Sequence, residues 1–226
     1  MTDSSPVTRR GLLHLATLGG TMIALDACSA GPGTTGSSVA PADDATSTSV
    51  GGDPGRLLLV WFSRPGENYH YGGRRDLDVG NTQVVARTIR DLVGCDTYRI
   101  VEQDTYPRDY DATVARNVEE QETDARPAIA GAIPDVSGYD GIILGSPVWN
   151  VRPPRIVHTF LDSVDLSGKT LHPFTTHAMS GLGRAPEEYA DACPGTRVAE
   201  GLAVQGEEAT RSTPLVRTWL RSSRII

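Results

Sequence analysis

Leu57-Leu58-Leu59-Val60-Trp61-Phe62 is an unbroken apolar run of strand length, bounded by Arg56 and by Ser63-Arg64-Pro65-Gly66. A strand with one wet face alternates apolar and polar side chains, so an unbroken run belongs to a strand covered on both faces. Gly141-Ile142-Ile143-Leu144 repeats the pattern and runs into Gly145-Ser146-Pro147. Between them, Asn81 to Val93 carries Val84, Val85, Ile89, Leu92 and Val93 at helical spacing, and Gly94 stops the helix. Thr97 to Val101 reads as a second strand, and Asp109 to Ala125 as a polar, acidic surface helix closed by Arg126-Pro127. Beyond the third strand, Pro153 and Pro154 suit the first turn of a helix carrying Ile156, Val157, Phe160, Leu161 and Val164. Thr170 to Thr176 and Arg197 to Val204 read as further strands, and Leu215, Val216, Trp219 and Leu220 mark a last helix. Strands alternating with amphipathic helices predict an α/β, doubly wound, five-stranded parallel sheet.

Composition narrows the function. The 226-residue chain carries a formal charge of −7 and only 6% aromatic residues, which argues against binding a phosphate backbone or stacking bases. Its single lysine, Lys169, leaves no polybasic cluster for an anionic membrane surface. Three cysteines are too few for a disulfide scaffold, and no CxxC pair suggests zinc. The five histidines show no metal-ligand spacing, so His158 and His172 read as structural. Cys95 and Cys193 would follow helices on opposite faces of the sheet and are expected as two separate thiols.

Residues 1–28 read as an export signal. Thr8-Arg9-Arg10-Gly11-Leu12-Leu13 sets paired arginines before a mildly apolar stretch to Leu25, in the manner of twin-arginine signals. Leu25-Asp26-Ala27-Cys28 resembles a lipoprotein box, with Cys28 as the lipidated residue and the one membrane anchor expected. Residues 29–55, rich in Ser, Thr, Gly and Pro, read as a disordered tether, and 56–226 as the globular domain.

Ligands of doubly wound sheets bind at the carboxyl ends of the strands. Three segments lie there. Ser63-Arg64 and Gly80-Asn81-Thr82 bring hydroxyls and helix-terminal amides that suit an anion, and the triplet is also ordinary capping. Ser146-Pro147-Val148-Trp149-Asn150 sets a tryptophan where it can cover a flat ring, or pack on the neighbouring helix. Thr176-His177 with Ser180-Gly181 offers small residues that admit a ligand edge, or a turn needing positive φ. Ser180 near His177 lacks the Gly-x-Ser-x-Gly elbow, since Ala178 holds the first glycine position. The run Glu119-Glu120-Gln121-Glu122 reads as a solvated helix face that can steer a basic partner.

In order and spacing these segments, together with Ser167-Gly168-Lys169-Thr170, Gly183 and Cys193-Pro194-Gly195, resemble the flavodoxin-like family over about residues 56–222. The resemblance implies strand order 2-1-3-4-5 and non-covalent FMN passing one or two electrons. Carried over by position, Ser63, Asn81 and Thr82 would hold the phosphate. Pro147, Val148, Trp149 and Asn150 would lie along the ring, and Thr176, His177, Ser180 and Gly181 would close its other side; Arg64, Gly80 and Ser146, beside them, are further cofactor-binding candidates. Arg64 to Val79 departs from the family's compact loop, and Tyr69, Tyr71, Arg74 and Arg75 in it are candidates for a lid that meets substrate. The expected function is an exported FMN protein, either an electron carrier or an NAD(P)H-dependent reductase of a quinone or similar acceptor. The alternative is a flavodoxin-like binding module that has lost FMN.

Overall fold

In a computed structural model, residues 55–226 are described. The export-signal, Cys28 and tether readings lie outside the described residues, save Gly55. The elements run in order: β1 Leu57–Phe62, β2 Gly66–His70, β3 Gly73–Leu77, α1 Asn81–Val93, β4 Asp96–Ile100, α2 Tyr110–Glu122 and β5 Gly141–Pro147. There follow α3 Arg155–Asp162, β6 Thr170–His177, α4 Ala185–Ala192, β7 Arg197–Val198, β8 Leu202–Gln205, a 3-10 turn Gly206–Arg211 and α5 Thr213–Ser222.

The main sheet has the order β4-β1-β5-β6 and then β7, with β8 also on β6, every pairing parallel. With β7 and β8 as two halves of one strand, this is the expected 2-1-3-4-5. The fifth strand breaks for a physical reason. The Leu171 carbonyl accepts from the Ala199 amide, so alternate residues of β6 face the fifth strand, and the next of them is Pro173, which has no N–H to give.

Period two sorts the central strands onto two cores. Leu58, Val60 and Phe62 pack with Ile142, Leu144, Ile156, Phe160 and Tyr189 on one side. Leu57 and Leu59 pack with Ile143, Phe174, Ile89, Val216 and Leu220 on the other. Each such side chain stabilises the fold by roughly 1.5–3 kcal/mol on burial. Cys95 packs against the second core and Cys193 belongs to the first; both are free thiols. Leu215, expected on the buried face of α5, is exposed. Pro154 caps α3 rather than entering its first turn. Gly94 ends α1 in the left-handed region at φ 71, its amide donating to the Arg90 carbonyl.

Residues 64–79 are not an open loop. Most of them form an antiparallel hairpin, β2 on β3, closed by Tyr71 and Gly72 at φ 46 and 83, the two positive values a tight I′ turn requires. No helix among the described residues is long and apolar enough to cross a membrane.

Candidate functional site

At the carboxyl ends of β1, β5 and β6, where the chain's winding reverses, lies a cavity of about 290 Å³. Asn81, Pro147, Val148, Trp149, Asn150, Thr176 and His177 all line it, so the three segments picked out in the sequence converge on one place. A niche of about 10 Å³ beside it is lined by Ser63, Arg64, Asn68, Asn81, Thr82 and Thr176, together with Pro147 and Trp149.

The start of α1 forms one end. Gly80 precedes the helix, and a Cβ there would lie 2.4 Å from both the Arg64 carbonyl and Ser63 Oγ, so only glycine fits. Ser63 Oγ accepts from the Gln83 amide at 3.1 Å. The first two helical amides, of Asn81 and Thr82, have no helical acceptor and remain available. Thr82 and Thr176 share a buried hydroxyl–hydroxyl bond of 2.7 Å, which uses one of their two protons and leaves the other to give. Gly206 abuts the side chain of Asn81, whose Nδ2 would lie 2.5 Å from a Cβ there.

Trp149 lines the cavity, and the rings it packs against belong to β1 and to the segment before α2 rather than to a helix. Its ring meets Phe62 and Tyr106 edge-on, at 5.7 and 5.2 Å between centroids. It opens a tight turn closed by paired Trp149–Arg152 backbone bonds, with Asn150 at φ 49 and Val151 at φ 66. On the far side Arg152 donates to Glu188 at 2.6 Å, and the buried His158 meets the other oxygen at 3.0 Å. Burial and the nearby Arg155 hold His158 below its ordinary pKa, so it sits there neutral. His177 is also lowered by burial, against the pull of Glu207, and its Nδ1 is buried without a partner.

The helix read as a solvated surface is a cavity wall. Tyr110, Thr113, Val114, Asn117 and Val118 recur at helical spacing and line the cavity, as do Asn68 and Tyr69 of the hairpin, Ala178 and Gly206. That stripe was present in the sequence, but Thr113 and Asn117 made it look polar. Within the acidic run Glu119 and Glu122 are exposed as expected, and two residues depart from that reading. Glu120 is buried, accepting from the Tyr106 hydroxyl at 2.7 Å and from Arg116 at 2.7 Å. Gln121 donates to the Trp149 carbonyl at 3.1 Å and accepts from Asn150 at 3.1 Å.

Other candidates lie elsewhere. Ser146 is buried away from the cavity, 2.9 Å from the Tyr189 hydroxyl. Ser180 is exposed and the Gly181 carbonyl accepts from Thr175; neither lines the cavity. Of the lid candidates only Tyr69 lines it. Tyr71 ties the hairpin tip to the 3-10 turn, through its amide on Glu207 and its hydroxyl on Glu208, each at 2.7 Å. Arg74 forks onto Asp111 at 2.7 and 2.6 Å and covers the Tyr110 ring, while Arg75 is exposed on β3 opposite Asn68. Among the described residues no group of His, Cys, Asp or Glu could hold a metal ion.

Sheet order, switch-point cavity and loop arrangement define a flavodoxin-like α/β protein. The family model described as flavodoxin matches residues 78–222, more than half of the chain, and the chain belongs to that family. A crystal structure from Bacteroides uniformis, assigned to a flavoprotein, is 27% identical with a TM-score of 0.60, covering 74% of this chain and 98% of that one. One from Bacteroides eggerthii is 25% identical with a TM-score of 0.59, covering 74% and 97%. A Lactobacillus acidophilus flavoprotein solved in complex with FMN shares the fold at 20% identity and a TM-score of 0.51, covering 70% and 97%. No curated protein matches the chain.

Proposed function

We propose that the protein binds FMN non-covalently in the switch-point cavity and serves as a redox protein outside the cytoplasmic membrane, exported by the Arg9-Arg10 signal and anchored at Cys28. The observation that carries this reading is the convergence of Asn81, Trp149 and Thr176 on one cavity in a chain of the flavodoxin family.

The residues fit the group. At the phosphate end stand the free amides of Asn81 and Thr82, the spare proton of the Thr82–Thr176 pair, and Gly80, which has no room for a Cβ. Along the ring stand Trp149 and Tyr69 with the apolar Val114 and Val118 of α2. FMN, when bound, supplies reversible uptake of one or two electrons. Around it Trp149 excludes water from one edge, Gln121 holds the Trp149–Asn150 turn in place, and the hairpin and α2 wall off the rest.

Between carrier and NAD(P)H-dependent quinone reductase, the carrier is favoured. Arg74 is paired with Asp111 and neither it nor Arg75 lines the cavity, so the two arginines are not placed to meet a nicotinamide or an acidic substrate there. Its partner is then another redox protein. The niche's size favours nothing larger than a water as it stands, which keeps the module without FMN as the reading to test against.

The full chain is titrated with FMN while absorbance and melting temperature are followed. Flavin absorbance retained on purification, or saturable uptake with a rise in melting temperature, supports the proposal. Colourless protein indifferent to FMN overturns it and leaves the binding module.

A further inference from the structure

Among the described residues, Arg64, Glu120, Arg155 and Glu188 are the arginines and carboxylates more than nine-tenths buried. Glu120 is paired with Arg116, Arg155 with Asp124 and Glu188 with Arg152. Arg64, 5% exposed, has no carboxylate in ion-pairing reach among them. It donates through one terminal nitrogen to the Pro107 and Arg108 carbonyls at 2.7 and 3.2 Å, and through the other to the Glu67 carbonyl. Its Nε–H is buried without any partner. The Glu67 carboxylate turns instead to the Tyr110 amide. Arg108, Glu67, Asp109 and Asp76 are the charged groups whose fields reach the guanidinium. Three of these are carboxylates, but none is in contact, and a buried cation bonded only to carbonyls is costly to keep without a contacting counter-charge.

Arg64 lines both the niche and the cavity, and its carbonyl lies against Gly80 at the start of α1. We propose that Arg64 is the counter-cation of a phosphate monoester bound at that end, and so the residue that makes the site select a phosphorylated flavin over its unphosphorylated parent. This rests on the FMN reading. The same guanidinium gathers carbonyls from β2 and from the segment before α2, so the anion that completes its charge also steadies both cavity walls. A cation–phosphate contact at a buried site is worth about tenfold to a hundredfold in Kd.

The test compares FMN with riboflavin on the full chain and on the R64M and R64K variants. Wild-type protein is expected to favour FMN at least about tenfold. R64M loses most of that preference while its riboflavin affinity holds, and R64K, which keeps the charge, retains part of it. An R64M that weakens both flavins in proportion, or keeps the preference, overturns the proposal. Where R64M does not fold, the phosphorus resonance of FMN on wild-type protein decides. Beside a buried cation the ester stays dianionic well below its usual second pKa of about 6, whereas an unshifted titration overturns the assignment. Wild-type protein that takes up neither flavin, yet gains melting temperature with inorganic phosphate and loses that gain in R64M while R64K keeps part of it, would end the FMN reading and leave the Arg64 site standing. If phosphate gives no gain either, both fall.

Discussion

The side-chain amide of Gln121 and the main-chain carbonyl of Trp149, 28 residues apart, are joined by a 3.1 Å hydrogen bond that fastens α2 to the turn over the cavity. The same amide group accepts from Asn150, so one side chain holds both ends of the dipeptide.

Replacing Gln121 by leucine removes both bonds, and the one it gives to Asn117 at 3.3 Å, while keeping the bulk. Folding stability is expected to fall by about 1–2 kcal/mol, and FMN affinity by several-fold because the tryptophan's turn is no longer held. Urea denaturation and flavin titration check the two effects; unchanged flavin affinity would show that the turn holds itself.

Glu120 gives a sharper contrast. On a solvated helix face its replacement by alanine would change stability by under about 0.5 kcal/mol. Here the change strands the Tyr106 hydroxyl and leaves Arg116 only its exposed partner Asp104 and the Thr105 carbonyl, and a loss of about 1–3 kcal/mol is expected. Tyr106→Phe, which removes only the hydroxyl, is expected to cost about 1 kcal/mol by the same denaturation.

Burial, helped by Arg197, lowers His172 to about 4, against an unfolded value near 6.5. Below that unfolded value the unfolded chain binds the proton that the folded chain refuses. Stability from this site is therefore full above about pH 6.5 and declines as pH falls towards 4. His158, also lowered, adds to the same slope. Unfolding free energies at pH 7 and pH 5 should converge in His172→Phe relative to the native chain; an equal acid loss in both would remove His172 from the account.

Arg74→Ala opens the Asp111 fork that pins the hairpin to α2. Because both partners are exposed, the global melting temperature should barely move, while amide exchange over Gly66–Leu77 quickens. High salt should quicken the native hairpin in the same direction.

What could be read from the chain alone follows from where its information lies. Apolar runs and helical stripes announced the sheet and the strand ends at which Asn81, Trp149 and Thr176 converge, because those signals are local; the strand order came with the family resemblance. The hairpin was silent: Gly-Glu-Asn-Tyr-His and Gly-Arg-Arg-Asp-Leu carry no apolar alternation, and Tyr71-Gly72 is not a usual turn pair. Arg74 looked like a substrate hand because its partner stands 37 residues away. Asn117 and Glu120 looked wet for the same reason, since a polar side chain buried against a cavity or a distant tyrosine is indistinguishable in sequence from one facing solvent. Pro173 lies inside a run that reads as a strand, and which neighbour its missing N–H would fail depended on the register.

The lone lysine has a practical meaning. Lys169 Nζ donates to the Tyr139 carbonyl just before β6 begins, and the cavity lies at that strand's other end. Eight strand residues set the two about 25 Å apart. Apart from the chain's α-amino group, an amine-reactive fluorophore has only this address. A dye placed there would lie within energy-transfer range of a flavin while touching none of the groups that would bind it, and so would report cofactor arrival and loss from the opposite pole of the sheet.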